Sequence, residues 1–153
     1  MKRHRLAGKE LKALNEQLSQ KYGLSEFLDT QANVELLKDS YLQVNGELEF
    51  FYLDGQPIPT LKLILKNNFL KTAVIDMPAI KFIINGADIM RPGIKHMDDF
   101  AENEIIAIVD ENNHKPLAIG QALFSSEEMQ KLEKGKVIKN LHYVGDSLWK
   151  EEI

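Results

Sequence analysis

The apolar residues of this chain occur in short runs that turn-forming residues interrupt. The longest uninterrupted runs, such as the one at 105–109, cover five residues, whereas a helix that spans a bilayer needs about 20 apolar residues. A chain of 153 residues can still bury roughly 70% of the surface that its unfolded form exposes. The sequence therefore predicts one solid core or two small ones, built from short strands and helices, and no membrane partner.

The absence of cysteine narrows the range of functions. With no cysteine in the chain, disulfide scaffolds, cysteine-based zinc sites, thiol nucleophiles and thiolate-held iron–sulfur clusters are excluded. The basic stretch 1–6 is followed by polar sequence and not by the apolar segment of a secretory signal. We therefore expect a cytoplasmic protein that needs no cofactor.

The charged residues are unevenly distributed. The net charge of −4 argues against a non-specific polyanion binder, since such proteins carry a large basic excess. Residues 1–71 hold ten Lys and Arg against nine Asp and Glu, and residues 72–153 hold nine against fourteen. The run 98–111 is acidic, which favours a solvated face, and the run 131–139 is basic. The chain can therefore present a local basic face to a phosphate backbone despite its total charge.

The first part of the chain is predicted to be an α+β unit that ends at residue 71. Leu11, Leu14 and Leu18 recur at helical spacing and Gly23 follows as a stop, which predicts an amphipathic helix over 8–22. Apolar and β-branched segments separated by turn-forming pairs predict a small antiparallel sheet with strands at 34–37, 41–44 and 48–53. The apolar stretch 61–70 is too short for periodicity to decide between helix and strand.

The second part, residues 72–153, is predicted to be a small β barrel with short helices. Asp76 is placed to cap a short buried helix with Pro78 in its first turn, whose body holds Ile80, Phe82, Ile83 and Ile84. Ser125 and Glu128 form a capping box for a second helix that continues to Gly135. Strand-like runs lie at 104–109, 117–123 and 137–144, and a polar turn joins the first two as a hairpin.

A series of motifs in this second part resembles a PUA domain, which is named for pseudouridine synthases and archaeosine transglycosylases. The motifs are, in chain order, Asn-Gly-Ala-Asp-Ile-Met-Arg-Pro-Gly-Ile at 85–94, Ala-Ile-Gly at 118–120, Gly-Lys-Val at 135–137, His-Tyr at 142–143, and Gly-Asp with Leu-Trp at 145–149. Each motif is weak alone, but together and in this order they are specific. The resemblance implies a PUA-type β pseudo-barrel over residues 72–153.

The first part resembles the N-terminal domain of the malignant-T-cell-amplified family of translation factors and its archaeal relatives. The segments that carry the resemblance are Val-Asn-Gly-Glu-Leu at 44–48, Phe-Phe at 50–51 and Pro-Thr-Leu-Lys-Leu at 59–63. The resemblance implies an α/β pre-PUA domain over residues 1–71. It also implies a role in reinitiation and recycling at the small ribosomal subunit, where the eukaryotic members have a density-regulated protein as partner. This chain has tight turns, as at Asp54-Gly55, so surfaces that bind such a partner in the loops of longer members could be absent.

The segment 85–94 is suited to approach RNA closely. Gly86 and Gly93 lack side chains, so a phosphate or a sugar can reach the backbone, and the neighbouring helix and turn should expose N–H groups. In PUA domains this helix, the strand after it and the last strand form the RNA surface. The residues predicted to bind structured rRNA or tRNA are Lys81, Asn85, Gly86, Ala87, Arg91, Lys95, Lys139, His142 and Tyr143. The alternative is that the two glycines only end a helix and make a turn.

Three further groups each allow two interpretations. His142 and Tyr143 could stack on an unpaired base, but one of them must point inward if the strand alternates, and a core Tyr143 beside a surface His142 explains the pair equally well. Trp149 is expected to pack in the core rather than to stack on a base. The basic start, Lys2 to Lys12, could be an arm for rRNA phosphates or a solvated, disordered terminus.

Catalysis is not indicated by the sequence. The four histidines are scattered, and the chain contains no paired-histidine helix motif, no Gly-x-Ser-x-Gly elbow, no Gly-rich phosphate loop and no calcium-loop pattern. We predict a non-enzymatic RNA-binding protein of translation without a metal site. The alternatives are the RNA-targeting subunit of an rRNA or tRNA modification enzyme, and a protein-interaction module that uses the N-terminal sheet.

Overall fold

The computed structural model describes residues 1–153 and divides into two compact units, Met1–Leu63 and Ile64–Ile153. Its helices are α1 (Lys9–Tyr22), α2 (Leu61–Lys66), α3 (Met77–Ile83) and α4 (Ser126–Gln130). Its strands are β1 (Arg3–Arg5), β2 (Val34–Leu37), β3 (Tyr41–Val44), β4 (Glu47–Leu53), β5 (Gln56–Pro59), β6 (Thr72–Ile75), β7 (Ile89–Met90), β8 (Ile94–Met97), β9 (Ile105–Asp110), β10 (Pro116–Ala122) and β11 (Lys136–Tyr143). A 3-10 turn, Arg91–Gly93, separates β7 from β8. None of the helices combines the length and the apolar character that crossing a membrane requires.

Helix α1 forms where the leucine spacing predicts it. Leu11, Leu14 and Leu18 are buried along one face, and burial of this stripe stabilises the helix more than intrinsic propensity does. Gly23 follows the helix in the left-handed region at φ 70°, where its N–H donates to the carbonyl of Ser19. Glycine adopts this conformation without steric cost, which explains why the helix ends here.

The first unit contains an antiparallel sheet in the order β1-β2-β3-β4-β5. Two of its hairpins turn at Asn45-Gly46 and Asp54-Gly55, and all four residues have positive φ angles of 50°, 86°, 50° and 75°. Two-residue hairpins with a type I′ turn need this backbone conformation. The predicted small sheet is confirmed, and it gains the edge strands β1 and β5, which the sequence did not indicate.

The stretch that periodicity left undecided begins with the helix α2. Thr60 precedes it, and its Oγ1 accepts the N–H of Leu63 at 3.3 Å while donating to the carbonyl of Leu48 at 2.9 Å. A threonine in this position satisfies one of the donors that a helix start leaves without a partner. Contact with β4, distant in sequence, therefore helps to select the helix.

The second unit is a curled mixed sheet in the order β7-β11-β10-β9-β6-β8, which forms a half-barrel. β6 and β9 run parallel, and the other neighbouring strands run antiparallel. Gly120 lies at a register shift between β10 and β11, where a Cβ would come 2.6 Å from Cγ2 of Ile138. The absence of a side chain therefore permits the close packing at this bulge. The predicted α+β class, with a small sheet followed by a β pseudo-barrel, is confirmed.

The helices of the second unit begin at their predicted caps. Oδ1 of Asp76 accepts the N–H of Ala79 at 3.0 Å, and Oγ of Ser125 accepts the N–H of Glu128 at 3.2 Å. Both bonds satisfy donors at a helix start. The interpretation of α3 as a buried helix is wrong, however, because only Ile83 among its residues is fully buried.

Helix α4 is shorter than the sequence predicted. It ends at Gln130 and not near Gly135. The N–H groups of Lys131 and Leu132 donate three residues back, to the carbonyls of Glu128 and Met129, and such tight bonds close a helix.

Candidate nucleic-acid interface

The loop between α3 and β7 uses its N–H groups internally. Asn85 and Ala87 donate to the carbonyl of Phe82 at 3.2 and 3.0 Å, and Gly86 donates to the carbonyl of Ile83 at 3.0 Å. These three N–H groups satisfy the last carbonyls of α3. They are therefore not available to a phosphate in this structure.

Gly86 makes room for a tyrosine ring. Its φ is 95°, and a Cβ at this position would lie 3.2 Å from Oη of Tyr143. Tyr143 is half-buried and packs against the core of the second unit. The close approach that Gly86 permits in this structure is thus that of Tyr143, and an RNA contact at Gly86 stays a prediction.

Asn140 connects α3, the loop and the last strand. Its side-chain amide donates to the carbonyls of Ile83 and Ala87, both at 3.0 Å, and its backbone N–H donates to Oδ1 of Asp88 at 2.8 Å. Asn140 lies in the stretch 139–143 that the PUA resemblance implicates, but it was not singled out. The available signal was an asparagine inside a predicted strand, where this residue type is depleted.

A groove of about 720 Å³, which we call the α3–β7 groove, opens beside this loop. It is lined by α3, including Phe82, and by the segment that follows the loop, including Met90, Pro92 and Gly93. Phe82 and Met90 are 59% and 50% exposed. Exposed apolar side chains that share one surface mark a site of interaction.

Two exposed lysines accompany this apolar surface. Nζ of Lys81 lies 5.2 Å from the centroid of the Phe82 ring, and Lys136 lines the groove with its Nζ 3.4 Å from Oδ2 of Asp88. Lys81 was predicted, whereas Phe82, Met90 and Lys136 were missed. The signal for Phe82 was its position two residues after Ile80, which is off the helix face that Ile80 and Ile83 share.

The side chain of Arg91 donates hydrogen bonds to backbone carbonyls of the protein itself. Its Nε donates to the carbonyl of Met129 at 2.8 Å, and its Nη1 donates to the carbonyl of Ile94 at 3.4 Å. The structure therefore does not place Arg91 as a free cation for phosphate. Its guanidinium joins the 3-10 turn to the end of α4.

In the last strand, β11, the side chain of His142 is buried and that of Tyr143 is half-buried. His142 is 1% exposed, and its Nδ1 lies 2.8 Å from Oδ2 of Asp146, which also accepts the N–H of Tyr143. Stacking of a base on His142 is therefore excluded in this arrangement, and the interpretation of His142 as the surface member of the pair is wrong. Of the remaining predicted residues, Ala87 lines the groove, while Lys95 and Lys139 are exposed but do not line it.

The basic start of the chain is neither a free arm nor disordered. It forms β1, which pairs with β2. Three of its side chains have acidic partners: Lys2 with Asp39 at 2.7 Å, Arg3 with Glu35 at 3.0 Å, and His4 with Glu10 at 2.8 Å. The pairs of Lys2 and Arg3 offset part of the positive charge that was expected to attract rRNA phosphates.

Two carboxylates of the acidic run 98–111 accept hydrogen bonds from backbone N–H groups. Asp98 accepts the N–H and the hydroxyl of Thr72, and Asp110 accepts three backbone N–H groups in the β9–β10 turn at 2.6–3.0 Å. The bond from Asn113 contributes most to a pKa of Asp110 below its usual range, against the opposing effect of burial. Asp110 is only 6% exposed, so a solvated face does not describe it. The structure contains no cluster of three or more potential metal ligands.

The half-barrel and its groove define a PUA-domain protein. The family model for the PUA domain matches residues 71–144, and a model described as a domain of unknown function (DUF1947) matches residues 2–67. The chain belongs to the family that contains translation machinery-associated protein 20 and the malignant T-cell-amplified sequence proteins.

Proteins similar to this chain occur in archaea and in eukaryotes. The chain is 42% identical to an uncharacterized protein of Methanocaldococcus jannaschii, over 97% of this chain and 95% of that protein. It is 40% identical to translation machinery-associated protein 20 of Schizosaccharomyces pombe, over 70% of this chain, and to malignant T-cell-amplified sequence 1 of Rattus norvegicus, over 71%. The matched region spans 63% of each of these two proteins. The crystal structure of a hypothetical protein from Pyrococcus horikoshii superimposes with a TM-score of 0.85 at 28% identity, covering 99% of this chain and 100% of that one.

Proposed function

We propose that this chain is a non-enzymatic, cytoplasmic RNA-binding protein of translation, which acts at the small ribosomal subunit or on tRNA. Unpaired nucleotides bind in the α3–β7 groove. The observation that carries the proposal is the exposure of Phe82 and Met90 in a groove accompanied by Lys81 and Lys136, within a PUA domain. The names of the relatives support the assignment to translation.

The chemistry of the groove favours unpaired RNA over a duplex. Bases released from pairing stack on aromatic and apolar side chains, and lysines attract the phosphates that connect them. The base edges of an RNA duplex are much less accessible, because the A-form major groove is deep and narrow. Since the N–H groups of residues 85–87 are used internally and Arg91 donates to two carbonyls, the two lysines carry most of the attraction to phosphate.

The double variant Lys81→Gln/Lys136→Gln tests this placement. Each phosphate contact contributes about 0.7 to the slope of log affinity against log salt for a single strand. We expect the variant to bind single-stranded RNA more weakly at low salt, with a slope smaller by about 0.7 for Lys81 and at most about 1.4 in total, because Lys136 is also paired with Asp88. The control Lys131→Gln/Lys134→Gln removes the same charge outside the groove and should change neither. If only the control variant loses binding, the groove is not the RNA site.

Sedimentation from a cell lysate tests the role in translation. Co-migration with small ribosomal subunits, abolished by the groove variant, is expected. Co-migration with an RNA-modifying enzyme would favour a targeting subunit, and protein complexes that survive RNase would favour an interaction module. Either of these two results would contradict the proposal.

A further inference from the structure

We propose that Asp88 selects the bases that enter the α3–β7 groove, favouring bases with an exocyclic amino group over uracil. This inference rests on the proposed function, which supplies unpaired RNA as the ligand. It adds a specificity-determining residue to a groove that is otherwise suited to bases of any kind, because every base has a face that can stack.

Asp88 is the groove carboxylate that lies beside a cation, so that it presents an acceptor next to a donor. The charged side chains that line the groove are Asp76, Asp88 and Lys136. Asp76 is the cap of α3 and uses Oδ1 for the N–H of Ala79. In Asp88, Oδ1 receives the N–H of Asn140 at 2.8 Å, while Oδ2 lies 3.4 Å from Nζ of Lys136 on a side chain that is 33% exposed. The carboxylate is thus held by backbone on one side and accessible on the other.

Asn140 fixes the position of this carboxylate. Its amide holds the carbonyls of Ile83 and Ala87, so the residue directly before Asp88 is tied to the end of α3. Oδ1 of Asn140 is buried and has no hydrogen-bond partner. An unsatisfied buried acceptor lowers the stability of the fold. The favourable contribution of this side chain therefore comes from its two donor bonds to the loop. The loop and Asp88 are therefore preorganised before a ligand arrives.

The hydrogen-bonding pattern of the bases explains the selection. Adenine and cytosine present an amino group with two donor hydrogens beside a ring nitrogen that accepts, which matches the Asp88 carboxylate next to the Lys136 ammonium. Guanine presents an amino group beside a ring N–H, and both can donate to one carboxylate. Uracil has one N–H between two carbonyl oxygens. Lys136 can face only one of these oxygens, so the other lies against the carboxylate and is repelled.

The test measures binding of labelled five-nucleotide RNAs of adenosine, cytidine or uridine at one salt concentration. We expect the adenosine and cytidine oligomers to bind about tenfold more tightly than the uridine oligomer. In Asp88→Asn, the oxygen can still accept the N–H of Asn140 and the new amide nitrogen takes the place of Oδ2, so the preference should vanish or invert. Glu133→Gln is the matched control, since it makes the same change in charge on an exposed residue outside the groove, and it should keep the preference.

A second measurement changes the RNA base and uses the wild-type protein. An oligomer of purine riboside, which lacks the amino group of adenosine, should bind the wild-type protein about tenfold more weakly than the adenosine oligomer. Equal binding of all oligomers by the wild type, or an unchanged preference in Asp88→Asn, would overturn the role of Asp88 and leave the proposed function standing. Failure of the wild type to bind any oligomer would overturn the proposed function and this inference together.

Discussion

Phe82 and Arg91 lie on neighbouring segments of the second unit and face opposite environments. The apolar ring of Phe82 is exposed beside Lys81, whereas the charged guanidinium of Arg91 donates to the carbonyls of Met129 and Ile94. An exposed ring adds little to folding stability and is available to a ligand. A guanidinium bonded to carbonyls stabilises the fold, and the donors used in these bonds are not available to a phosphate.

Phe82→Ala should therefore separate RNA binding from stability. Stacking on an aromatic side chain contributes about 1–3 kcal/mol per base, so we expect the affinity for single-stranded RNA to fall by roughly tenfold or more. The free energy of unfolding should change by less than about 1 kcal/mol, because the ring is mostly exposed. Titration with RNA and urea denaturation measure the two effects. The same substitution at Phe124 is the control and should leave RNA affinity unchanged.

Arg91→Ala should show the reverse effect. Loss of the bonds to the two carbonyls should lower the free energy of unfolding by about 1–3 kcal/mol, measured by urea denaturation. Arg91 is only partly buried, so its predicted contact with RNA stays a prediction beside this structural role. Lys95→Ala, an exposed cation nearby, should stay within about 0.5 kcal/mol of the wild type. Equal stability of Arg91→Ala and the wild type would contradict this assignment.

The turn between β9 and β10 depends on a single carboxylate. Asp110 accepts the N–H groups of Asn112, Asn113 and Lys115. These donors hold its pKa below the usual range even though burial opposes them. The carboxylate of Asp110 therefore satisfies several backbone donors at once, and its ionised form stabilises the hairpin.

Asp110→Asn should destabilise the protein in a pH-dependent way. The amide has one acceptor oxygen and no charge, so we expect a loss of about 2 kcal/mol at neutral pH. Because the pKa of Asp110 is lower in the folded than in the unfolded protein, its contribution is present above the usual Asp range and is lost as pH falls through that range towards the folded pKa. The difference between variant and wild type, measured by urea denaturation, should shrink between neutral pH and about pH 3. Asp99→Asn, on an exposed residue, should show little difference at any pH.

At the scale of the whole molecule, the chain passes between the two units inside α2, at Leu63 and Ile64, whereas the predicted boundary lies at residues 71 and 72. The segment that joins α2 to β6 is not rich in Gly or Ser. Lys66 is the last residue of α2, and the carbonyl of Lys71 accepts the N–H of Ala107 at 2.9 Å, one residue before β6 begins. Nζ of Lys71 also lies 3.6 Å from a carboxylate oxygen of Glu104. The backbone on both sides of residues 67–70 is therefore hydrogen-bonded, and a protease needs an unfolded segment to cut.

Limited trypsin digestion tests the predicted boundary at residues 71 and 72 and the absence of a flexible linker. We expect slow cleavage after Lys66 and Lys71 in the native protein and rapid cleavage of the same bonds in urea. Rapid native cleavage that releases an independently mobile N-terminal fragment would show that the connection is flexible.

The elements that the sequence predicts well are those set by residues close together in the chain. The leucine spacing of α1, the caps Asp76 and Ser125 and the turn at Asn45-Gly46 act within a few residues. Local sterics and local hydrogen bonds decide these features, so they can be recognised without tertiary information. The motif order at 85–149 likewise predicts the family and the α+β fold.

The candidate site depended on contacts between residues far apart in the chain. Asn140 and Ile83 are 57 positions apart, and Arg91 and Met129 are 38 apart. Sequence spacing does not show that Arg91 turns inward, that His142 is buried or that Phe82 is exposed, because each outcome depends on which distant strand or helix packs beside the residue. The sequence alone determined the family and the class of fold, and it predicted a candidate RNA surface around the segment 85–94. Only the tertiary structure decided which side chains line the α3–β7 groove, since the free energy of each side chain depends on neighbours that folding brings together.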